Sequence, residues 1–513
     1  MLSAFLKTIA GAQCAVLAQG GEPEHGFWVL LLYYLAACGG GFLLFRAVSL
    51  GLRPVPVKGR DKASLAAFLF ALALSSGFEA LFGLREAFCA EMGFLPRSSG
   101  LPAVLSMATF ALAWYAALLP IHARRERAPF PPKYRFLLRV TAVPFAVMAG
   151  LELMLEAARL LPVEWQKARA AVPLGGIAPE AVGFAAMVLF IPPLAAAIWG
   201  ARPLEDPFLL PRLRTIAARA GLPGLRILLW RTQGAHYHNA VAMGTVRPLS
   251  FVMLSDGIVE DFPPPWTEAI FAHEAIHSRQ RHVLLLLAGM TGAIALMAGV
   301  AFLLPGNTGL SVGVGSLAFY VVVLVGPLMR NLEREADVMG SMLLDDPLEM
   351  ARALEHLKNY APPRKWKHSF THFGLNERVE VVRRCAVDEG ERERVLAFSR
   401  RVVRASLAGA ALCAAFGLWV VFSRSSEVVA EQWLSVYWVC VERELPKEGL
   451  ACLERALEAK DDPEVMMLYG LTCLELGRLD EAARVLRETK DVGRYREMLE
   501  RELERMRNGP RGP

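Results

Sequence analysis

The residues best equipped for chemistry are His273, Glu274 and His277, in the run His273-Glu274-Ala275-Ile276-His277. On a helix, positions i and i+4 share a face, so both imidazoles can ligate one metal ion. Glu274 stands about 100° round the helix from His273, within reach of an attacking water as general base. A catalytic zinc needs a third protein ligand and an open position. The metzincin pattern would need Gly at 280 and His at 283, but the chain has Gln280 and Val283, so that class is excluded. His282 follows nine residues after His273. On a continuing helix it faces away, and it reads as an interfacial histidine.

A membrane hairpin offers a better third ligand. The apolar runs 283–304 and 308–328 are joined only by Pro305-Gly306-Asn307. So short a link forces an antiparallel pair, with the start of the first run beside the end of the second. His277 lies six residues before the hairpin and Glu333 five residues after it, in Arg330-Asn331-Leu332-Glu333-Arg334-Glu335-Ala336-Asp337. The hairpin thus delivers Glu333 to the two histidines. Glu335 falls on another face. Asp337, at i+4 from Glu333, reads either as a carboxylate that orients a ligand or as a solvated helix residue.

Together these motifs resemble the membrane zinc metallopeptidases of the HtpX and type-one CAAX prenyl protease family, in which HExxH, a membrane hairpin and ExxAD follow in order. Two further motifs match. The family's Asn-Ala-Phe-Ala-like segment is here Asn239-Ala240-Val241-Ala242, then Gly244. Its Thr-His-Pro…Arg segment is here Thr371-His372-Phe373…Arg378, with Phe373 in the place of Pro. The Ser-Arg pair common before the glutamate is here Met329-Arg330. The likeness covers about residues 205–390. It implies one zinc per chain on His273, His277 and Glu333, with Glu274 as base. It also implies that His372 and Arg378 lie beyond the metal and polarise the substrate carbonyl. Asn239 and Ala240 would belong to a small sheet that binds substrate. Residues 225–230, 236–243 and 249–255 do read as short strands. An exposed edge strand beside the zinc helix can hold an extended peptide by strand addition.

The chain that must position these groups has 513 residues, of which 54% are hydrophobic and 21% charged. Its mean hydropathy is +0.35. That excludes a disordered chain and a plain soluble enzyme. The net charge of +6 fits a basic collar around membrane spans, and no arginine-aromatic module points to nucleic acid. Eight cysteines without CxxC spacing argue against a cysteine-ligated zinc and a disulfide framework. Apolar runs of span length lie at 27–45, 64–83, 101–120, 137–158 and 181–200, then in the hairpin, then at 404–422. That makes eight spans, five of them before the zinc helix, the number the resemblance assigns to CAAX prenyl proteases rather than to HtpX. Residues 1–26 read as an uncleaved tail rather than a signal peptide. Glu79, Glu152 and Glu156, in or at the edge of apolar runs, line a wet cavity or pair with arginine. Pro192-Pro193 predicts a kink in the fifth span.

The first four loops carry five, two, five and three basic residues. By the excess of positive charge on cytoplasmic loops, the first and third face the cytoplasm. The zinc site then faces the cytoplasm and the C-terminal block lies outside, in what is expected to be a bacterial inner membrane. In that block Gly470, Cys473, Gly477, Ala482 and Leu486 have tetratricopeptide-like spacing. A weaker copy runs through 433–460, its Leu445 and Ala451 standing 31 residues before Leu476 and Ala482, short of the usual period of about 34. The block reads as a platform for a protein partner or as a plain helical appendage.

The expected fold is mostly α: a polytopic membrane helix bundle (27–204), a small α+β zincin-like catalytic domain in two parts (205–282 and 329–403) about the hairpin (283–328), an eighth span (404–422) and a helical repeat segment (423–513). The expected function is an integral membrane zinc endopeptidase acting on membrane or misfolded proteins, in contact with lipid. The competing reading is a catalytically idle scaffold that recruits partners through its repeats. The intact Glu274 argues against it, since an idle copy has no chemical use for the base.

Overall fold

Apolar runs in lipid leave the backbone no hydrogen-bond partner but itself, and the fold is accordingly mostly helical. The computed structural model describes residues 31–39, 42–43, 46, 67–75, 100–126, 129–172, 175, 178–232, 234–235, 237–304, 306–360, 373–489 and 493–508. Glu79 lies outside them, as do the side chains of Glu152 and Glu156. Two compact units emerge, one of Met1–Glu152 with Phe184–Phe416, the other of Leu153–Gly183 with Gly417–Pro513.

Residues 31–39 and 67–75 are helical and fall within the first two expected spans. Helices α1 (Gly100–Glu126), α2 (Pro132–Arg159), α3 (Val163–Ala170) and α4 (Ala178–Ile198) follow. Among the described residues, four segments are long and apolar enough to cross a membrane: Pro132–Leu151, His282–Leu303, Ser311–Ser341 and Glu389–Ser423. Met107–Ala123 and Val182–Ile198 are shorter apolar helices. Each of the six overlaps an expected span.

The sheet of the first unit has four strands, β1 (Ala201–Pro203), β2 (Arg226–Trp230), β3 (Ala240–Met243) and β4 (Phe251–Ser255), in the order β1-β2-β4-β3. β2 and β4 run parallel, and the other pairs are antiparallel. β1 was not foreseen, being three residues at the end of an apolar run. Central β4 is buried throughout. Val252 and Leu254 join a core with Ile216, Phe271, Ile276, Met350 and Val382. Phe251 and Met253, alternating to the opposite face, pack with Val140, Val143, Ala195 and Trp199 of the α2 and α4 region. Trp199 stacks on Trp230 at 4.9 Å. The sheet is therefore held from below by span residues, while β3 remains an edge.

On the other face lie α5 (Leu209–Arg219), α6 (Asp256–Asp261) and α7 (Pro264–Arg279), which carries His273, Glu274 and His277. Pro264 and Pro265 occupy the first turn of α7, where a missing N–H costs nothing. The expected continuous helix into the sixth span does not form. α7 ends at Arg279, Arg281 adopts left-handed φ 53°, and α8 (His282–Leu303) starts anew. α9 (Gly306–Tyr320) returns along α8 and passes through a π turn at Val321–Val325 into α10 (Gly326–Ser341), the bearer of Glu333. Gly340 lets α10 press on α7, since a Cβ there would stand 3.0 Å from the backbone nitrogen of His273. α11 (Leu348–Leu357), α12 (Leu375–Val387) and α13 (Glu389–Ser423) complete the series, α13 running on into the second unit.

In the second unit, α14 (Ser425–Glu442), α15 (Pro446–Ala459), α16 (Pro463–Glu475), α17 (Leu479–Glu488) and α18 (Gly493–Asn508) pack in succession. The segments read as repeat-like form two helical hairpins, α14–α15 and α16–α17. Leu499 and Leu503 of α18 close the core of the second with Met467, Cys473 and Ala482. α3 also belongs here. Its Ala170 packs with Trp433, Tyr437 and Cys440, and Lys167 pairs with Glu448. Among the described residues six cysteines are free: Cys38, Cys385, Cys413, Cys440, Cys452 and Cys473.

Candidate metal centre

The α8–α9 hairpin brings α10 beside α7, and three donor atoms meet there. His273 Nε2 and His277 Nε2 are 3.1 Å apart. Glu333 places Oε2 3.5 Å from the first and Oε1 3.5 Å from the second. Zinc bonds of 2.0–2.1 Å in a tetrahedron require ligand-to-ligand edges of roughly 3.3–3.4 Å. The triangle therefore fits a zinc ion in size and in donor chemistry, and Glu333 is where the hairpin argument put it.

Each histidine is backed by a second group. His273 Nδ1 lies 2.9 Å from Asp337 Oδ1, and Asp337 is only 2% exposed. Of the two readings of Asp337, burial removes the solvated one, and its place beside His273 Nδ1 suits a carboxylate that orients a ligand. Arg378 Nε and Nη2 each donate to an Asp337 oxygen at 2.7 Å, a two-pronged pair. Where the resemblance has Arg378 polarise the substrate carbonyl, its guanidinium here is held on Asp337. A carboxylate buried beside a ligand needs its charge compensated, and the first turn of α12 supplies that compensation from behind. Arg378 Nη2 is still 3.9 Å from Glu333 Oε2.

His282 is a correction to the sequence reading. The break at Arg281 swings it back, so that its Nδ1 meets His277 Nδ1 at 2.8 Å, with 1% of the residue exposed. His282 is thus not an interfacial histidine on the far face but the group against which His277 rests. Glu335 Oε2 lies 4.0 Å behind His282 Nε2.

Electrostatics separate the two candidate ligands. Burial alone would lower the pKa of His273, but Asp337 and Glu333 override it and hold the imidazole up at about 10. The same negative field would attract a divalent cation. Burial lowers the pKa of His277, against the pull of Glu333, which keeps that ring neutral and its lone pair available.

Glu274 reaches the sheet, where its Oε2 accepts a hydrogen bond from the Ala242 amide at 2.8 Å. Asn239 and Ser255 are bound through backbone and hydroxyl, with Ser255 N donating to Asn239 O at 3.0 Å and Asn239 N donating to Ser255 Oγ at 3.1 Å. Antiparallel alternation from that pair leaves the backbones of Ala240 and Ala242 facing the free edge. Ala242 was missed from the sequence, although its parity with Ala240 would have identified it. His372 lies outside the described residues. Phe373, the departure from the family's Pro, sits 3.8 Å from the guanidinium of Arg334, which pairs with Glu377 at 2.7 Å.

Residues 203–386 match the model of peptidase family M48. A protease HtpX homolog of Persephonella marina is 30% identical over an alignment of 168 residues that covers 30% of this chain and 57% of that protein. One from Gemmatimonas aurantiaca is 29% identical over 168 residues, 31% and 59% of the two chains. The chain thus spans under two thirds of the length of these relatives. The crystal structure of S. mikatae Ste24p aligns with 70% of this chain and 99% of its own, at 15% identity and a TM-score of 0.36. The segment that builds the His–His–Glu triangle, its supports and its edge strand is thus the one that matches peptidase family M48, in a chain with long apolar helices.

Proposed function

We propose that the protein is an integral membrane endopeptidase that binds one zinc through His273, His277 and Glu333 and hydrolyses membrane or misfolded proteins. The observation that carries this reading is the donor triangle at 3.1, 3.5 and 3.5 Å, with the carboxylate of Glu274 on the same helix as the two histidines. Bound zinc would supply Lewis acidity to water and to the scissile carbonyl. Glu274 takes the proton from the attacking water and returns it to the leaving amine. An extended substrate adds to the free edge of β3, hydrogen-bonding to Ala240 and to the Ala242 carbonyl. Asp337 and His282 keep the two imidazoles in place, and Arg378 keeps Asp337 ionised. Purified protein is expected to hold about one zinc per chain and to cleave an unfolded protein. Chelation should abolish cleavage and added zinc should restore it. Zinc without cleavage would favour the scaffold reading, with the repeats as its partner-binding surface.

The site is further proposed to face the cytoplasm and the helical block to lie outside. Besides the charge of the loops, the pairing of α3 with α14 and α15 supports this. The fourth loop and the C-terminal block, assigned to the same side independently, share one core. Reporter fusions within 205–260 should read as cytoplasmic and fusions after Ser423 as external. A cytoplasmic signal from the latter would sink the eight-span arrangement.

A further inference from the structure

A cavity of about 470 Å³ adjoins the donor triangle. His277 and Ala242 line it where it meets the site, and the turn after β3 and the start of α8 enclose the rest. Its lining includes Arg247, Arg279 and Arg281 and no aspartate or glutamate. Arg279 ends α7, two residues past His277, and Arg281 is the left-handed link to α8. Arg247 makes one long contact, Nη2 to the Gly221 carbonyl at 3.5 Å. Among the described residues, no carboxylate pairs with any of the three.

We propose that this cavity is a specificity subsite that receives a carboxylate of the bound peptide. The proposal rests on the peptidase reading and adds the substrate chemistry. β3 ends where the chain turns off at Gly244, whose φ is 93° and whose added Cβ would stand 2.6 Å from the Leu249 carbonyl oxygen. A peptide laid along the free edge of β3 therefore runs past Met243 into this space. Three guanidinium groups around a partly enclosed cavity focus positive potential, and their forked N–H groups match a carboxylate. Lysine in the same position would be repelled. The competing occupant is a lipid phosphate, since Arg279 and Arg281 adjoin a span. The cavity's continuity with His277 and Ala242 favours the peptide.

The test uses the full chain in vesicles and peptides that differ only by Asp against Asn at each position flanking the cut, each with a free or an amidated C-terminus. One position, or the C-terminus, should show a preference for the carboxylate of about tenfold or more in kcat/KM. Arg279→Glu with Arg281→Glu should abolish or invert that ratio, toward Lys over Asp, while zinc per chain stays unchanged. Equal rates for acidic and neutral peptides would overturn the subsite and leave the peptidase reading intact. Failure to cleave any peptide with zinc bound would overturn both. If the variants change only the dependence of all rates on phosphatidylglycerol against phosphatidylcholine, the arginines are lipid contacts and the proposal falls.

Discussion

Glu274→Gln is expected to load zinc normally and to lose hydrolysis by roughly 10²–10⁴-fold, the usual cost of a missing general base. The substitution keeps the size of the side chain and an oxygen for the Ala242 amide, which donates at 2.8 Å. What it removes is the basicity. Glu333→Ala should behave otherwise and lose zinc and activity together, because two histidines alone are an incomplete site. Zinc per chain and cleavage rate, measured on the same preparations, separate the two roles. Retention of zinc by Glu333→Ala would refute the ligand assignment, and with it the argument from the hairpin.

Arg378→Ala should destabilise the domain and loosen the metal at once. Asp337 is buried, and its partner Arg378 binds both of its oxygens. Removing one member of such a pair leaves an uncompensated charge, at a cost of about 3–5 kcal/mol. Thermal unfolding and zinc affinity should therefore fall together, and Arg378→Lys, which cannot make the forked contact, should recover only part of each. His282→Ala also removes a support, but it strands no charge. Its expected signature is a zinc affinity weaker by about 10–100-fold with little change in unfolding temperature. Were Arg378 a substrate contact instead, its alanine variant would keep both zinc and thermal stability and lose turnover alone.

The candidate site was legible because its information is local or nearly so. HExxH is a statement about one helix face, and Glu333 follows from a three-residue link between two apolar runs. The misreadings arose where the backbone departs from regularity without a marker residue. Gln280-Arg281 contains no glycine or proline, and a non-glycine residue at positive φ is uncommon, so nothing announced the break that carries His282 back to His277. Arg378 was identified by motif, but a motif says nothing of direction. Only the packing of α12 against α10 shows that the guanidinium points at Asp337 rather than past it. The three-residue strand β1 is too short for any alternation to register. In the membrane part, apolar runs predicted where helices lie, since composition and length alone decide that.

The placement of the ligands on either side of the α8–α9 hairpin bears on how the protein is made. Synthesis delivers His273 and His277 first, then two spans, then Glu333, then Arg378. Parts of a chain fold in the order they emerge, but no metal site of this build closes until both spans have turned through the bilayer and α10 has come back to α7. A half-translated chain, or one stalled with a single span inserted, holds two histidines and no third ligand. On the proposed reading, completion of membrane insertion would itself be the activation step.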